Sequence, residues 1–142
     1  MNTTTDTSTT DTSTTDTDTD TDTDAAAPSG AAPRVNHAFF MLVRTTPTWL
    51  ALTPTERFGF LGDVIAPILG RHPRVSMRFF DSEAFHAGCT DVIFWETPSV
   101  LAYQAIVEDL RETPFWGTYF DVVDIVASIE NGYAHHYDVD PL

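Results

Sequence analysis

The chain contains no lysine. Its seven basic residues are all arginines, no two of them adjacent. Nucleic-acid phosphates and anionic membrane surfaces both require clustered Lys or Arg, so neither is an expected partner. A single cysteine, Cys89, excludes an intramolecular disulfide framework and fits a reducing compartment. No apolar run approaches a membrane-spanning length. The first residues carry neither a basic n-region nor an apolar h-region, so no signal peptide is expected and a soluble cytoplasmic protein is the default.

What is present divides sharply near Arg34. The first 24 residues comprise thirteen Thr, seven Asp, two Ser, one Asn and Met1. Such a segment can bury no hydrophobic surface to offset the entropy of ordering it, so residues 1–34 read as a disordered Thr/Asp tail and small-residue linker. Its alternating Thr-Asp run lacks the Gly and terminal Glu of a calcium loop. The tail holds seven of the 21 acidic residues, and half of the net charge of −14 therefore belongs to it. Residues 35–142 suit one domain with one core.

Punctuation and periodicity give that domain an order. His37 to Arg44 is a short, almost wholly apolar run ending before Pro47, as a strand buried on both faces would be. Thr53, Pro54 and Glu56 spell an N-cap, N1 proline and capping box. Phe58, Leu61, Ile65 and Ile68 follow at helical spacing, with Gly70 as a candidate C-cap and Pro67 expected to kink or tighten the last turn. Val75 to Asp81 and Cys89 to Glu96 read as strands joined by an irregular loop. Thr97-Pro98 repeats the cap signature before a helix carrying Tyr103, Ile106, Val107 and Leu110 on one face. Tyr119 to Ala127 is a fourth strand, and Ser128 to Gly132 a turn with a flexible glycine.

The order β-α-β-β-α-β predicts an α+β, ferredoxin-like fold, a four-stranded antiparallel sheet with both helices on one face. Its second face should be polar, yet Phe39, Phe40, Met41, Leu42, Phe94, Trp95, Tyr119 and Phe120 cannot all lie under the helices. An apolar face left over predicts an interface or ligand site, and a sheet-to-sheet homodimer around an enclosed pocket would satisfy it.

The segments RTTPTWLALTPTERFGF, HPRVSMRFFDSEAFHAGCTDVIFWET and FDVVDIVASIENGY, in that order from about His37 to Tyr137, resemble the darcynin family. The resemblance implies a fold more than an activity: an architecture similar to the dimeric α/β-barrel proteins. Relatives of that architecture include cofactor-independent monooxygenases of antibiotic biosynthesis, muconolactone isomerase, polyketide cyclases and haem-binding chlorite dismutases. No catalytic motif of those enzymes maps residue by residue onto this sequence, and likeness of fold does not carry chemistry with it.

The densest polar constellation runs from Arg78 through Asp81, Glu83, His86 and Cys89 to Asp91, across a strand end, a loop and the next strand. If it converges on the leftover sheet face, with Asp124 as a further candidate, Arg78 would stabilise an enolate or carboxylate. Asp91 or His86 would then move the proton. A structural Arg–Asp pair with a hairpin cap is the plainer alternative. Trp49, Trp95 and Tyr119 are candidate substrate-binding aromatics, against the alternative of simple core or interface packing. His86-x-x-Cys89-x-Asp91 has suitable donors but not the paired spacing of a zinc site, and neither metal nor cofactor is expected. Cys89 reads as an inert buried thiol before it reads as a nucleophile. Two functions follow. One is a cofactor-independent enzyme, performing proton transfer, cyclisation or oxygenation on a small aromatic or polyketide-like molecule. The other is a non-catalytic dimeric module binding a small hydrophobic ligand or a protein partner.

Overall fold

Four strands and five short helices make up the described part of the computed structural model, residues 36–141. The Thr/Asp tail lies outside the described residues. Strand β1 (His37–Thr45) is central and pairs antiparallel with β3 (Asp91–Thr97) on one side and β4 (Phe120–Ile129) on the other. Strand β2 (Ser76–Asp81) pairs antiparallel with β3, giving the sheet order β2-β3-β1-β4. This is the α+β, ferredoxin-like arrangement that the βαββαβ order predicts.

The β1–β2 connection is more segmented than its periodicity suggests. Thr46 caps a five-residue helix, α1 (Pro47–Ala51), through a 3.3 Å bond from the Trp49 amide to its Oγ1. Trp49 therefore sits on a helical turn. Thr53 opens α2 (Pro54–Phe60) with the expected capping box: the Glu56 amide donates to Thr53 Oγ1 at 3.3 Å, and the Thr53 amide to Glu56 Oε2 at 2.7 Å. The Thr53 amide first, and then the Thr53 hydroxyl donating to the same Oε2 at 2.8 Å, hold the Glu56 carboxyl below its ordinary range.

Pro67 acts upstream of itself. A proline there can give no hydrogen bond to the preceding turn, and its ring crowds the carbonyl four residues back. The chain responds with a π-helical turn, Leu61–Ile65, whose Ala66 amide reaches the Leu61 carbonyl, before α3 (Ala66–Arg71) resumes. The turn widens where tightening was expected. Gly70 is inside α3, and His72 occupies the C-cap. His72 Nε2 and Arg71 Nη2 both meet Asp109 Oδ2, at 2.7 and 3.0 Å, tying the end of α3 to α4 (Val100–Arg111). The His72 contact, then the Arg71 contact, hold the Asp109 carboxyl below its usual range.

Helix α4 starts one cap later than the Thr-Pro signature implies. Ser99 is the N-cap, its Oγ accepting from the Ala102 amide at 3.3 Å, while Thr97 Oγ1 accepts from the Ser99 amide at 3.2 Å. The predicted stripe of Tyr103, Ile106, Val107 and Leu110 is the buried face. After β4, the left-handed residue of the closing turn is Asn131 (φ 51°) rather than Gly132, and α5 (Gly132–Tyr137) follows.

Alternation sorts the sheet. Phe39, Met41 and Val43 of β1 lie beside Trp95, Ile93 and Asp91 of β3 on the helix-covered face. Phe39 stacks flat on Tyr103 at 3.6 Å, and Trp95 meets the same ring edge-on at 6.3 Å. On the opposite face Phe40, Leu42, Val92, Phe94, Arg78 and Phe80 form an open, largely apolar surface. The chain by itself thus buries only one face of β1.

Ile106 is fully buried in this core. Ile106→Ala should cost about 2–5 kcal/mol, transfer and cavity terms together, in a urea unfolding titration.

Candidate functional site

The carboxyl ends of β1 and β2 and the amino end of β3 converge on Thr90. Its amide donates to the Val43 carbonyl at 2.8 Å, its carbonyl accepts from the Ser82 amide at 2.7 Å, and its Oγ1 accepts from the Thr45 amide at 2.8 Å. The same hydroxyl donates to Asp91 Oδ2 at 2.6 Å. Alternation along β3 then aims the Asp91 side chain at the helix-covered face, where it is only 4% exposed.

That carboxyl lies at the polar end of a cavity of 690 Å³ between the sheet and the α1–α2 segment. Its walls are apolar: Met77, Phe79 and Ile93 from the sheet, Trp49, Leu61 and Ile65 from the helices, and Phe115 with Phe120 at the start of β4. Leu50, Pro54 and Phe58 form the rim, and Phe58 is 73% exposed there. Carboxylate oxygens of Asp81, Glu83 and Asp91 lie within 4.8 Å of one another at the polar end. Burial pushes the Asp91 carboxyl above its ordinary range, the Thr90 hydrogen bond opposes this, and Glu83 and Asp81 add to the rise.

Arg57 is the cavity's cation, and it is engaged. Its Nε donates to the Trp49 carbonyl at 3.2 Å and Nη2 to the Leu50 carbonyl at 2.8 Å, while the guanidinium lies 5.7 Å from the Trp49 ring centre. These bonds satisfy the carbonyls at the end of α1, which has no room for a longer ladder.

The predicted catalytic set does not assemble. Asp91 lines the cavity, but Arg78 pairs with Phe94 in the register and faces the opposite side of the sheet. There it lies 4.6 Å from the Phe94 ring centre and 5.8 Å from that of Phe80. An Arg78–Asp91 site is excluded because a sheet one layer thick separates their side chains. Asp124, opposite Leu42, is on the open face as well.

His86 is exposed in the 82–90 loop and is not among the cavity-lining residues. Its Nδ1 accepts from the amides of Gly88 (3.0 Å) and Cys89 (3.2 Å), so it caps the loop. Cys89 is buried with Sγ 3.5 Å from the same nitrogen, outside the cavity lining. Among the described residues His86, Cys89 and Asp91 do not gather into one donor set.

Of the three aromatics, Trp49 lines the cavity. Tyr119 packs behind it, with ring centres 5.4 Å apart. Trp95 is core, covered by α4, and does not line the cavity. Arg57 and Thr90 escaped the sequence reading, and Phe120 was visible there only among the surplus aromatics of the sheet. Phe58, Leu61 and Ile65 were visible there as a helical stripe, whose role as a cavity wall follows only from where the sheet lies.

Haem, which the architecture's dismutase members bind, does not fit this donor set. The cavity lining offers no imidazole, thiolate or phenolate, and its three carboxylates would oppose the haem propionates.

The pH dependence of stability carries a definite sign. With its folded pKa raised, Asp91 penalises folding once pH exceeds that value, and the penalty vanishes below the unfolded value, where both states are protonated. Asp91→Asn should therefore raise the thermal midpoint at pH 7. The gain should shrink as pH falls through the acid range, as read by calorimetry at a series of pH values.

The darcynin family model, described as a domain of unknown function, matches residues 21–142 and so begins within the Thr/Asp run. A darcynin homolog from Streptomyces avermitilis is 49% identical over 104 residues, covering 72% of this chain and 86% of that protein. One from Granulibacter bethesdensis is 44% identical over 99 residues, covering 69% and 80%. Among solved structures, a putative chlorite dismutase superposes with a TM-score of 0.61 at 17% identity, over 75% of this chain and 48% of that one. A mutant chlorite dismutase from Candidatus Nitrospira defluvii gives 0.58 at 8% identity, over 68% and 40%. The chain thus spans less than half the length of those structures, and at such identities they share its fold alone. No described helix is long and apolar enough to cross a membrane. By the extent of the family match and the identity to these relatives, the chain belongs to the darcynin family.

Proposed function

We propose that the cavity binds a small aromatic or polyketide-like molecule and that Asp91 moves a proton on it without a cofactor. One observation carries the reading: a single buried carboxyl, its pKa raised, closes an apolar cavity of 690 Å³. A volume of that size and lining suits a small organic molecule. A carboxyl whose pKa burial has raised holds a transferred proton more readily than an ordinary one. Trp49 supplies a face for stacking. Arg78 and His86 have no part in this chemistry.

Asp91→Asn keeps the shape and removes the ionisable group. For a panel of phenols and small cyclic ketones in deuterated water, exchange or cyclisation followed by NMR should fall about a hundred- to ten-thousand-fold in the variant, with ligand affinity retained. Undiminished exchange in the variant would sink the proton-transfer role. Ligands that bind both proteins without reacting in either would instead favour the second reading, a non-catalytic binding module, which needs the cavity but not the acid.

A homodimer through the open sheet face is part of the proposal. Phe40 (37% exposed), Phe80 (47%) and Val126 (47%) leave that face apolar. Arg78 has no carboxylate partner among the described residues, while Asp121 and Asp124 lie across the same face on the opposite edge strand. A two-fold axis parallel to the strands sets β2 of one copy over β4 of the other. That arrangement brings the arginine toward the acids and covers the aromatics. Light scattering should give twice the chain mass, with Arg78→Glu shifting the protein to monomer; a monomeric parent would overturn this.

A further inference from the structure

We propose that α2 is a lid over the cavity, latched open by Arg57, and that it closes on a bound ligand by pivoting at the π-helical turn Leu61–Ile65. The inference rests on the cavity being the functional site, and it describes how a molecule is admitted there and held.

The helix lies between two anchors and is itself unanchored. Upstream, Trp49 of α1 is buried against Phe120 and Tyr119, with ring centres 5.0 and 5.4 Å apart. Downstream, Ile65 and Ile68 are buried, and Asp109 fastens the end of α3 to α4. Between them α2 has no buried residue. Yet Pro54, Arg57 and Phe58 all line the cavity, and the Phe58 ring stands largely in solvent at the rim. An element with so little packing to lose on moving belongs to the low-stability end of a fold, from which lids are drawn. Turning α2 toward the sheet would carry Phe58 out of water and over the apolar walls, a gain that grows with the area covered.

Both ends of α2 can bend. Leu52 and Thr53 are extended, with ψ of 142° and 158°, so α1 and α2 share no continuous hydrogen-bond ladder. At the other end the ladder widens into the π-turn, a rare geometry that concentrates at functional sites. Phe60, at the junction, meets Tyr119 edge-on at 4.9 Å and supplies the fulcrum. Gly59 and Gly62 flank it, and a Cβ at either position would meet nothing within 4 Å. Neither has a positive φ. Packing and backbone therefore do not require glycine there. Apart from proline it is the poorest helix former, so the two residues loosen the segment on either side of the pivot.

Arg57 is what holds α2 in place. Its bonds to the Trp49 and Leu50 carbonyls are the only side-chain hydrogen bonds among the described residues that join α2 to the anchored α1. Leu50 is exposed, so water can replace the guanidinium at its carbonyl when the latch releases. Such a latch sets the balance between open and closed states, and a ligand that touches α2 only in the closed state shifts that balance.

The test is stopped-flow fluorescence of the full chain with N-phenyl-1-naphthylamine, an uncharged aromatic probe that brightens when it leaves water. Binding should be biphasic: an encounter whose rate rises with probe concentration, then a closing step whose rate levels off. Gly59→Ala and Gly62→Ala should raise the thermal midpoint and slow closing several-fold, with the encounter unchanged. Arg57→Met keeps the hydrocarbon stem, removes the donors and should speed closing several-fold. In protein carrying methyl-labelled methionine, NMR should show cross-relaxation between the bound probe and Met77, which lines the cavity, and none to the core residue Met41. A single phase with a rate linear in concentration, or equal closing rates in the parent and all three variants, would overturn the lid and leave the cavity reading intact. A probe that does not bind, or that binds without contact to Met77, would overturn both.

Discussion

The hydroxyl of Thr90 is the contact on which the candidate site depends. It accepts from the end of β1 and donates to the Asp91 carboxyl, while the Thr90 main chain joins β1 to the loop leaving β2. A hydroxyl offers one donor and two acceptor positions, and here it is used in both senses. The consequence is positional. Asp91 has its carboxyl oriented at the first residue of β3, with Asp81 at the end of β2 and Glu83 in the following loop brought beside it. Burial raises the cost of the charge, and this one bond limits the rise.

Much of the fold was legible because local chemistry and periodicity agree. The capping box at Thr53, the apolar stripe of α4 and the strand order all follow from rules about backbone groups and side-chain spacing. The elements that went astray are those decided by a neighbour. Ser99 displaced Thr97 as cap because the Thr97 side chain turns inward from β3 and receives the Ser99 amide. Pro67 was visible in the sequence, but a π-turn one step earlier is a choice among several ways of relieving the same clash.

The site was less legible for a specific reason. Strand β3 is apolar on both sides, so alternation groups Asp91 with Trp95 and Val92 with Phe94 without saying which group meets the helices. Trp95 decides it by lying beside Phe39, distant in sequence, and against Tyr103 of the helix that follows β3. Assigning the two groups the other way placed Arg78 with Asp91. Arg57 was equally hidden, since a lone arginine on a helix gives no sign that it will fold back onto two carbonyls. The two arginines end in different roles: Arg57 completes a helix end, and Arg78 lies over aromatic rings on the open face.

The sheet is a single layer between two apolar spaces, and β2 serves both. Phe79 is part of the cavity wall, while Phe80 and Arg78, its neighbours in sequence, face outward. An edge strand held from one side only can shift more readily than the central pair. Any molecule that changes the position of β2 from the cavity therefore changes the surface presented to whatever docks outside. The converse holds by the same factor, because a coupling free energy has no direction. With the cavity and the open face both occupied as proposed, occupancy and assembly would be two readings of one equilibrium.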